Sequence, residues 1–222
     1  MSKGSSHSGH GGGSDDPLNH DLNDHDGLNR GPGAVNDQDG DNNSGPPVVM
    51  AETLTGTAGA DRLEGGDGDD SISGLAGADR LEGGKGNDTI DGGDGNDLIR
   101  GGKGADVLTG GNGDDTFVID SGAKQLSAID RITDFTSGHD KLVFDDAPAA
   151  TAAGFATDTA ADFTTALADA NTKMAAGADF VAVQVGADVI VFADEVGEHH
   201  VESAVLLVGK TLADIASTDI GA

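Results

Sequence analysis

Cut every nine residues, positions 56–118 read GTAGADRLE, GGDGDDSIS, GLAGADRLE, GGKGNDTID, GGDGNDLIR, GGKGADVLT and GGNGDDTFV. The seven blocks begin at Gly56, Gly65, Gly74, Gly83, Gly92, Gly101 and Gly110 and follow one another without an insertion. The fourth position is always glycine: Gly59, Gly68, Gly77, Gly86, Gly95, Gly104 and Gly113. The sixth is always aspartate: Asp61, Asp70, Asp79, Asp88, Asp97, Asp106 and Asp115. The eighth is always large and apolar: Leu63, Ile72, Leu81, Ile90, Ile99, Leu108 and Phe117. A flexible Gly/Asp linker has no reason to keep four positions in register through seven blocks, whereas a stacked repeat must.

Glycine at fixed positions marks backbone conformations or close approaches that a Cβ would block. Two such glycines make a tight turn whose carbonyls can point inward, and the aspartate at position six adds charge. The remaining three residues, with one apolar side chain between two polar ones, suit a very short strand with one inward face. Position two is Gly66, Gly84, Gly93, Gly102 and Gly111 in five blocks, but Thr57 and Leu75 in the first and third.

This pattern resembles the RTX (repeats in toxin) family, whose consensus is GGxGxDxUx. The resemblance implies an all-β parallel β-roll in which two nonapeptides make one coil. Turns then stack on turns two blocks away, with a Ca²⁺ between each stacked pair. It also implies ligands from the position-six aspartates of both turns and from backbone carbonyls of the glycine loops. The implied pairs are Asp61 with Asp79, Asp70 with Asp88, Asp79 with Asp97, Asp88 with Asp106, and Asp97 with Asp115, giving up to five ions. The implied loops are Gly65-Gly66-x-Gly68, Gly83-Gly84-x-Gly86, Gly92-Gly93-x-Gly95, Gly101-Gly102-x-Gly104 and Gly110-Gly111-x-Gly113. Sites that involve Thr57 or Leu75 are expected to bind less well than the even-numbered face, where Gly65, Gly83 and Gly101 each open a Gly-Gly pair.

Charge points the same way. Residues 56–118 hold twelve Asp, two Glu, two Lys and three Arg, a net of 5 − 14 = −9. Five Ca²⁺ would add ten positive charges. Stacked carboxylates without metal repel one another, and one large apolar side chain per nine residues is too little to overcome that repulsion. Folding and metal binding are therefore expected to be one event. The whole chain has 40 acidic against 12 basic residues, a formal charge of −28. That excludes a nucleic-acid footprint and attraction to anionic lipid.

The flanks differ from the repeats. Residues 1–53 are rich in Gly, Ser, Asn, Asp and His, with too few apolar side chains to offset ordering entropy, and are expected to be a disordered tail. His7, His10, His20 and His25 lie there, and read as a soluble spacer or a weak transition-metal site. Asp37–Asp41 looks like part of an EF-hand loop but lacks its first and twelfth ligands. The first seven residues contain Lys3 but no apolar core, so a cleavable leader is not expected, and no run of eighteen apolar residues suggests a membrane span. The absence of cysteine suits both the cytosol and disulfide-free secretion.

Residues 54–118 form the expected roll and 119–222 a mostly-β cap with one helix. Strands are expected at Phe117–Asp120, Ile129–Phe135, Gly138–Phe144 and Ala204–Val208, a helix over 160–176, and a hairpin of Phe180–Val185 with Val189–Phe192. The stretches Ile132–Phe135, Asp140–Phe144 and Val205–Ile215 resemble RTX C-termini, which implies export by the type I secretion machinery through an uncleaved C-terminal signal. The zinc-protease HExxH and the GxSxG elbow are absent, so an enzyme is not expected. His199 and His200 read as a surface loop, because neighbouring side chains on a strand face opposite ways. The expectation is a secreted, extracellular, non-enzymatic calcium-binding protein with a cell-surface or matrix partner. Two alternatives stand beside it: an extracellular scavenger or sensor of lanthanides or transition metals, and an interaction module that binds a partner through the C-terminal domain.

Overall fold

The computed structural model describes residues 50–120, 129–145, 147, 150–194, 197 and 199–221. The tail expected at 1–53 lies outside the described residues up to position 49, with its four histidines and the Asp37–Asp41 stretch. Among the described residues, fourteen strands, one α-helix and two short 3-10 helices (Leu212–Asp214 and Ser217–Asp219) follow in chain order. The repeats and their immediate flanks supply β1 (Thr53–Thr55), β2 (Arg62–Asp67), β3 (Ser71–Ser73), β4 (Arg80–Lys85), β5 (Thr89–Asp94), β6 (Leu98–Lys103), β7 (Val107–Asn112) and β8 (Thr116–Ile119). Beyond them come β9 (Asp130–Ile132), β10 (Lys141–Phe144), β11 (Phe155–Ala160), α1 (Phe163–Met174), β12 (Phe180–Val185), β13 (Asp188–Ala193) and β14 (Ser203–Leu207).

Successive repeat strands alternate between two sheets. One sheet runs β10-β8-β6-β4-β2, the other β1-β3-β5-β7-β9-β14-β13-β12-β11. Every pairing among the repeats is parallel and shifts the chain by eighteen residues, as in Leu63 with Leu81 and Ile72 with Ile90. This is a parallel β-roll with two blocks per coil. The register places the position-eight residues in two facing columns. Leu63, Leu81, Ile99, Phe117 and Leu142 line one sheet; Leu54, Ile72, Ile90, Leu108 and Ile132 line the other. All ten are at most 3% exposed and belong to one core. A single inward side chain per strand is enough because its neighbours above and below are chemically alike.

Both ends run past the seven blocks. Leu54 adds a rung before the first, and β9 and β10 pair with β7 and β8 after the last. Two expected strands are shorter than anticipated: residues 133–140 are turn rather than strand, and β9 stops at Ile132. The cap then closes the nine-stranded sheet. Strand β14 pairs parallel to β9 and antiparallel to β13, and β12 and β13 form the expected hairpin around Gly186, at φ +64°. Helix α1 is narrower than the expected 160–176. Asp162 caps its start by accepting from the Thr165 amide at 2.8 Å, and Gly177, at φ +101°, follows its end. Its inward face is Ala166, Ala170 and Met174, one turn apart, packed on Val181, Val183, Ile190 and Phe192. Strand β11, parallel to β12, was not expected, because Phe155–Ala160 (FATDTA) shows no apolar alternation.

Candidate metal centre

The turns that join the two sheets repeat one geometry. The second glycine of the pair, at Gly66, Gly84, Gly93, Gly102 and Gly111, has φ between +101° and +114°. The position-four glycine has φ between +129° and +145° at Gly68, Gly77, Gly86, Gly95, Gly104 and Gly113. L side chains rarely adopt this region. Leu75 occupies position two at φ +73° with its side chain 49% exposed, so it is held in the glycine conformation at a cost in strain. Thr57 is different: neither it nor Gly59 is left-handed.

The first glycine needs its missing Cβ for another reason. At Gly56, Gly65, Gly74, Gly83 and Gly92 the space a Cβ would fill is taken by two oxygens. One is Oδ2 of the same block's aspartate. The other is the carbonyl of the first glycine two blocks on, 2.5–2.7 Å from the Cβ position. A carboxylate oxygen and a carbonyl oxygen thus converge once per turn, at five places.

The position-six aspartates form two ladders. The amide of each donates to Oδ1 of the aspartate eighteen residues on: Asp61 to Asp79, Asp70 to Asp88, Asp79 to Asp97, Asp88 to Asp106 and Asp97 to Asp115, at 2.7–2.9 Å. Three rungs lie outside the seven blocks. Glu52 donates its amide to Asp70 at 2.7 Å, and Asp106 and Asp115 donate theirs to Asp130 and Asp140 at 3.1 Å. Asp130-Arg131-Ile132 and Asp140-Lys141-Leu142 keep the Asp-x-apolar triplet of the repeat, and this triplet is the signal by which they could have been found. The search by fixed period missed them because the spacing grows from 18 to 24 and 25.

The second carboxylate oxygen is the exceptional atom. Oδ2 of Asp70, Asp79, Asp88, Asp97, Asp106 and Asp115 is buried and has no hydrogen-bond partner. An ionised oxygen in that state is costly. Burial accordingly pushes Asp88 up to about 7, Asp115 to about 6 and Asp130 to about 8, and raises Asp97, Asp106 and Asp140 as well. Neighbouring acidic side chains push in the same direction, while the ladder amides pull most of these groups back.

Two turns satisfy their own carboxylate instead. Asp61 Oδ2 accepts from the Thr57 amide at 2.6 Å and from its hydroxyl at 2.9 Å. Asp140 Oδ2 accepts from the Thr136 amide at 2.7 Å. Position two therefore decides the turn's state: left-handed there, as at the glycines and at Leu75, the aspartate oxygen is left open; otherwise the position-two amide fills it. Thr57 and Leu75, grouped together by sequence, fall on opposite sides of this divide.

Among the described residues no three or more His, Cys, Asp or Glu side chains converge on a point. A cation here would have to draw on backbone carbonyls as well as carboxylates. The arrangement fits that demand: open carboxylate oxygens, carbonyls beside them, and only hard oxygen donors. His199 does not join such a set; its ring nitrogen stands 3.8 Å from the buried Asp194 carboxylate.

Residues 55–90, 73–108 and 91–123 match the family model of the RTX calcium-binding nonapeptide repeat in its four-copy form. No curated protein matches the chain. Among solved structures, the R3 subunit of the Azotobacter vinelandii mannuronan C5-epimerase AlgE6 is 24% identical, with 80% of this chain and 82% of that one covered at a TM-score of 0.39. The R2 subunit of the same enzyme is 25% identical, covering 76% and 91%, at 0.36. The extracellular lipase LipA of Serratia marcescens is 17% identical, covering 82% of this chain and 41% of the lipase, at 0.32. Repeat match, period and wound sheets agree: residues 55–123 match the RTX calcium-binding nonapeptide repeat and coil into a parallel β-roll.

Proposed function

We propose that this chain is a secreted calcium-binding protein whose roll folds when Ca²⁺ occupies its stacked turns outside the cell. The observation that carries the reading is the row of six buried, unpartnered Oδ2 atoms on Asp70, Asp79, Asp88, Asp97, Asp106 and Asp115. These aspartates are the proposed carboxylate ligands; Asp61 at the first rung, whose Oδ2 already accepts from Thr57, is a weaker one. The carbonyls of Gly74, Gly83, Gly92, Gly101 and Gly110 lie beside five of the seven carboxylates and are the proposed neutral donors. The remaining loop glycines act by conformation, holding the turns open. Calcium would supply the positive charge that this oxygen set lacks.

The donor set favours a hard cation over transition metals, which prefer nitrogen and sulfur. The role is read as structural, with turn oxygens committed to holding the coils together. External calcium suits the magnitudes. At about 1 mM Ca²⁺ and a Kd of about 10⁻⁴ M, each site contributes about 1.4 kcal/mol, and at cytosolic levels almost nothing. Such a chain stays unfolded until it is exported, consistent with passage through type I machinery.

The test is far-UV circular dichroism during a titration from chelated protein to about 10 mM Ca²⁺, a range that brackets extracellular affinities. A cooperative coil-to-β transition that Mg²⁺ does not reproduce is expected. A spectrum indifferent to calcium would sink the proposal.

A further inference from the structure

The two sheets have four outer edges, and these are finished differently. Strand β10 is covered: Leu142 bridges Ile220 in parallel, and the Gly221 amide donates to the Leu142 carbonyl at 3.0 Å. Strand β11 carries Asp158 near its middle, 3.1 Å from Lys173, a charge of the kind that blunts an edge. Strands β1 and β2, at the N-terminal end of the roll, pair on one side only among the described residues. The turn below β2 also closes on itself, since the Thr57 amide and hydroxyl fill Asp61 Oδ2. The open turn on which a further parallel coil would stack is therefore missing here.

An antiparallel neighbour fits the same edges. Successive backbone groups of a strand point to alternate sides. The Asp61 and Glu52 carbonyls accept from the Arg80 and Ser71 amides inside the sheets. The N–H and C=O groups of Arg62 and Glu64, and of Thr53 and Thr55, therefore point outward. Residues directly opposed across an antiparallel pair also face the same side, so inward Leu63 must oppose an inward residue. If β2 meets β2 of a second copy about a two-fold axis, centring on Arg62 opposes two arginines and centring on Glu64 opposes two glutamates. Centring on Leu63 opposes Arg62 to Glu64 twice and runs the inward column from Leu63 to Leu63. Leu54 heads the column that faces Leu63, so the same axis serves β1 and opposes Thr53 to Thr55. Arg62 and Glu64 are 44% and 40% exposed and stand 3.8 Å apart within one chain, a loose contact that each can exchange for the other copy.

We propose that the N-terminal end of the folded roll is a self-association surface, on which a second copy of this chain docks head to head. Strand β1 pairs with β1 and β2 with β2, antiparallel, and reciprocal Arg62–Glu64 pairs fix the register. The interface is isologous. Because the edge of β10 is covered by 216–221 and that of β11 is charged, association stops at two. Each sheet then runs unbroken through both copies, with a cap at either far end. The inference needs a folded first coil and is indifferent to which cation folds it.

The experiment is sedimentation equilibrium of the full chain in about 1 mM Ca²⁺ and about 0.15 M salt, which screens the repulsion between two acidic chains. A dimer is expected. Arg62→Glu and Glu64→Arg each oppose like charges, so either variant alone should dissociate about tenfold more readily. Mixed one to one they should restore the dimer, because every opposed pair is again unlike; a contact within one chain cannot be rescued by mixing. A folded roll that stays monomeric, or a mixture no tighter than either variant alone, overturns the proposal. If a variant does not fold, hydrogen exchange of the unaltered chain decides. Protection at 53–55 and 62–64 should rise with protein concentration while 89–100 stays constant; edge protection that ignores concentration means that the chain covers its own edges, and overturns the proposal. Circular dichroism of the same samples separates the two readings. A roll folded in calcium but monomeric defeats this inference alone. A roll folded and dimeric in chelator defeats the calcium reading alone, and a roll that stays unfolded in calcium defeats both.

Discussion

The roll and the cap both carry aspartates whose carboxyls accept backbone amides, yet the same side chain opposes folding in one and supports it in the other. In the roll, burial raises Asp88, Asp115 and Asp130 to about 7, 6 and 8. In the cap, Asp158, Asp162 and Asp214 sit below the ordinary carboxylate value, because backbone amides of Thr159, Thr165 and Thr211 donate to the charged form. The cap pairs its carboxylates with its own donors and buries an ordinary core of Met174, Val181, Val183 and Phe192 under a helix. In six of its turns the roll gives one carboxylate oxygen an amide and leaves the other open. The cap's lowered carboxyls are thus served by the protein's own donors, whereas the roll's open oxygens call for something supplied from outside.

Withdrawing calcium should separate the two regions most. The five proposed sites, at about 1.4 kcal/mol each, would amount to about 7 kcal/mol, comparable to the whole stability of a small domain. Hydrogen exchange in chelator should therefore show protection lost across 62–117 and retained in 163–193; simultaneous loss in both would break the contrast. Next come single substitutions. Phe192→Ala should cost about 3–5 kcal/mol with or without calcium. Gly83→Ala, whose Cβ would meet Asp88 Oδ2 and the Gly101 carbonyl, should cost about 1–3 kcal/mol and only when calcium is present. Denaturant melts under both conditions distinguish these.

Acidity should pull the regions in opposite directions. A carboxyl raised in the folded chain favours folding while protonated. Its contribution is complete below the unfolded value of about 4 and vanishes as pH rises through the folded value. Chelated protein should therefore gain β signal in the roll as pH falls from about 8 to 4, and calcium binding should release protons. The lowered carboxyls of the cap contribute above about 4 and lose that contribution in stronger acid. A roll indifferent to pH in chelator would show that the open oxygens are not ionised as described. The smallest effect is Leu75→Gly, which should raise the calcium-bound midpoint by the equivalent of about 1 kcal/mol by relieving the left-handed backbone.

Much of this was legible in the repeats because each block states its own turn, strand and inward residue. Period nine fixed which side chains form the two columns, and the eighteen-residue register follows from two blocks per coil. Asp130 and Asp140 escaped because insertions stretch the spacing while the ladder tolerates longer connections. Glu52 and Leu54 escaped because their half-turn has no glycine. In the cap, the hairpin was readable from alternation and Gly186, whereas β11 was not: its pairing with β12 is tertiary, and its polar residues announce nothing. The division between Thr57 and Leu75 depends on backbone angle, which composition does not carry.

The alternation of strands between the two sheets also constrains how such a protein can change length. Adding or deleting a single nonapeptide would move every later strand to the opposite wall, delivering Phe117 to the wrong column and the cap to the wrong side. Adding or deleting two would leave every wall assignment intact and shift the cap by one coil, about 4.8 Å. Insertions and deletions in the repeats should therefore survive in multiples of eighteen residues, so that parity, rather than block count, is the inherited quantity.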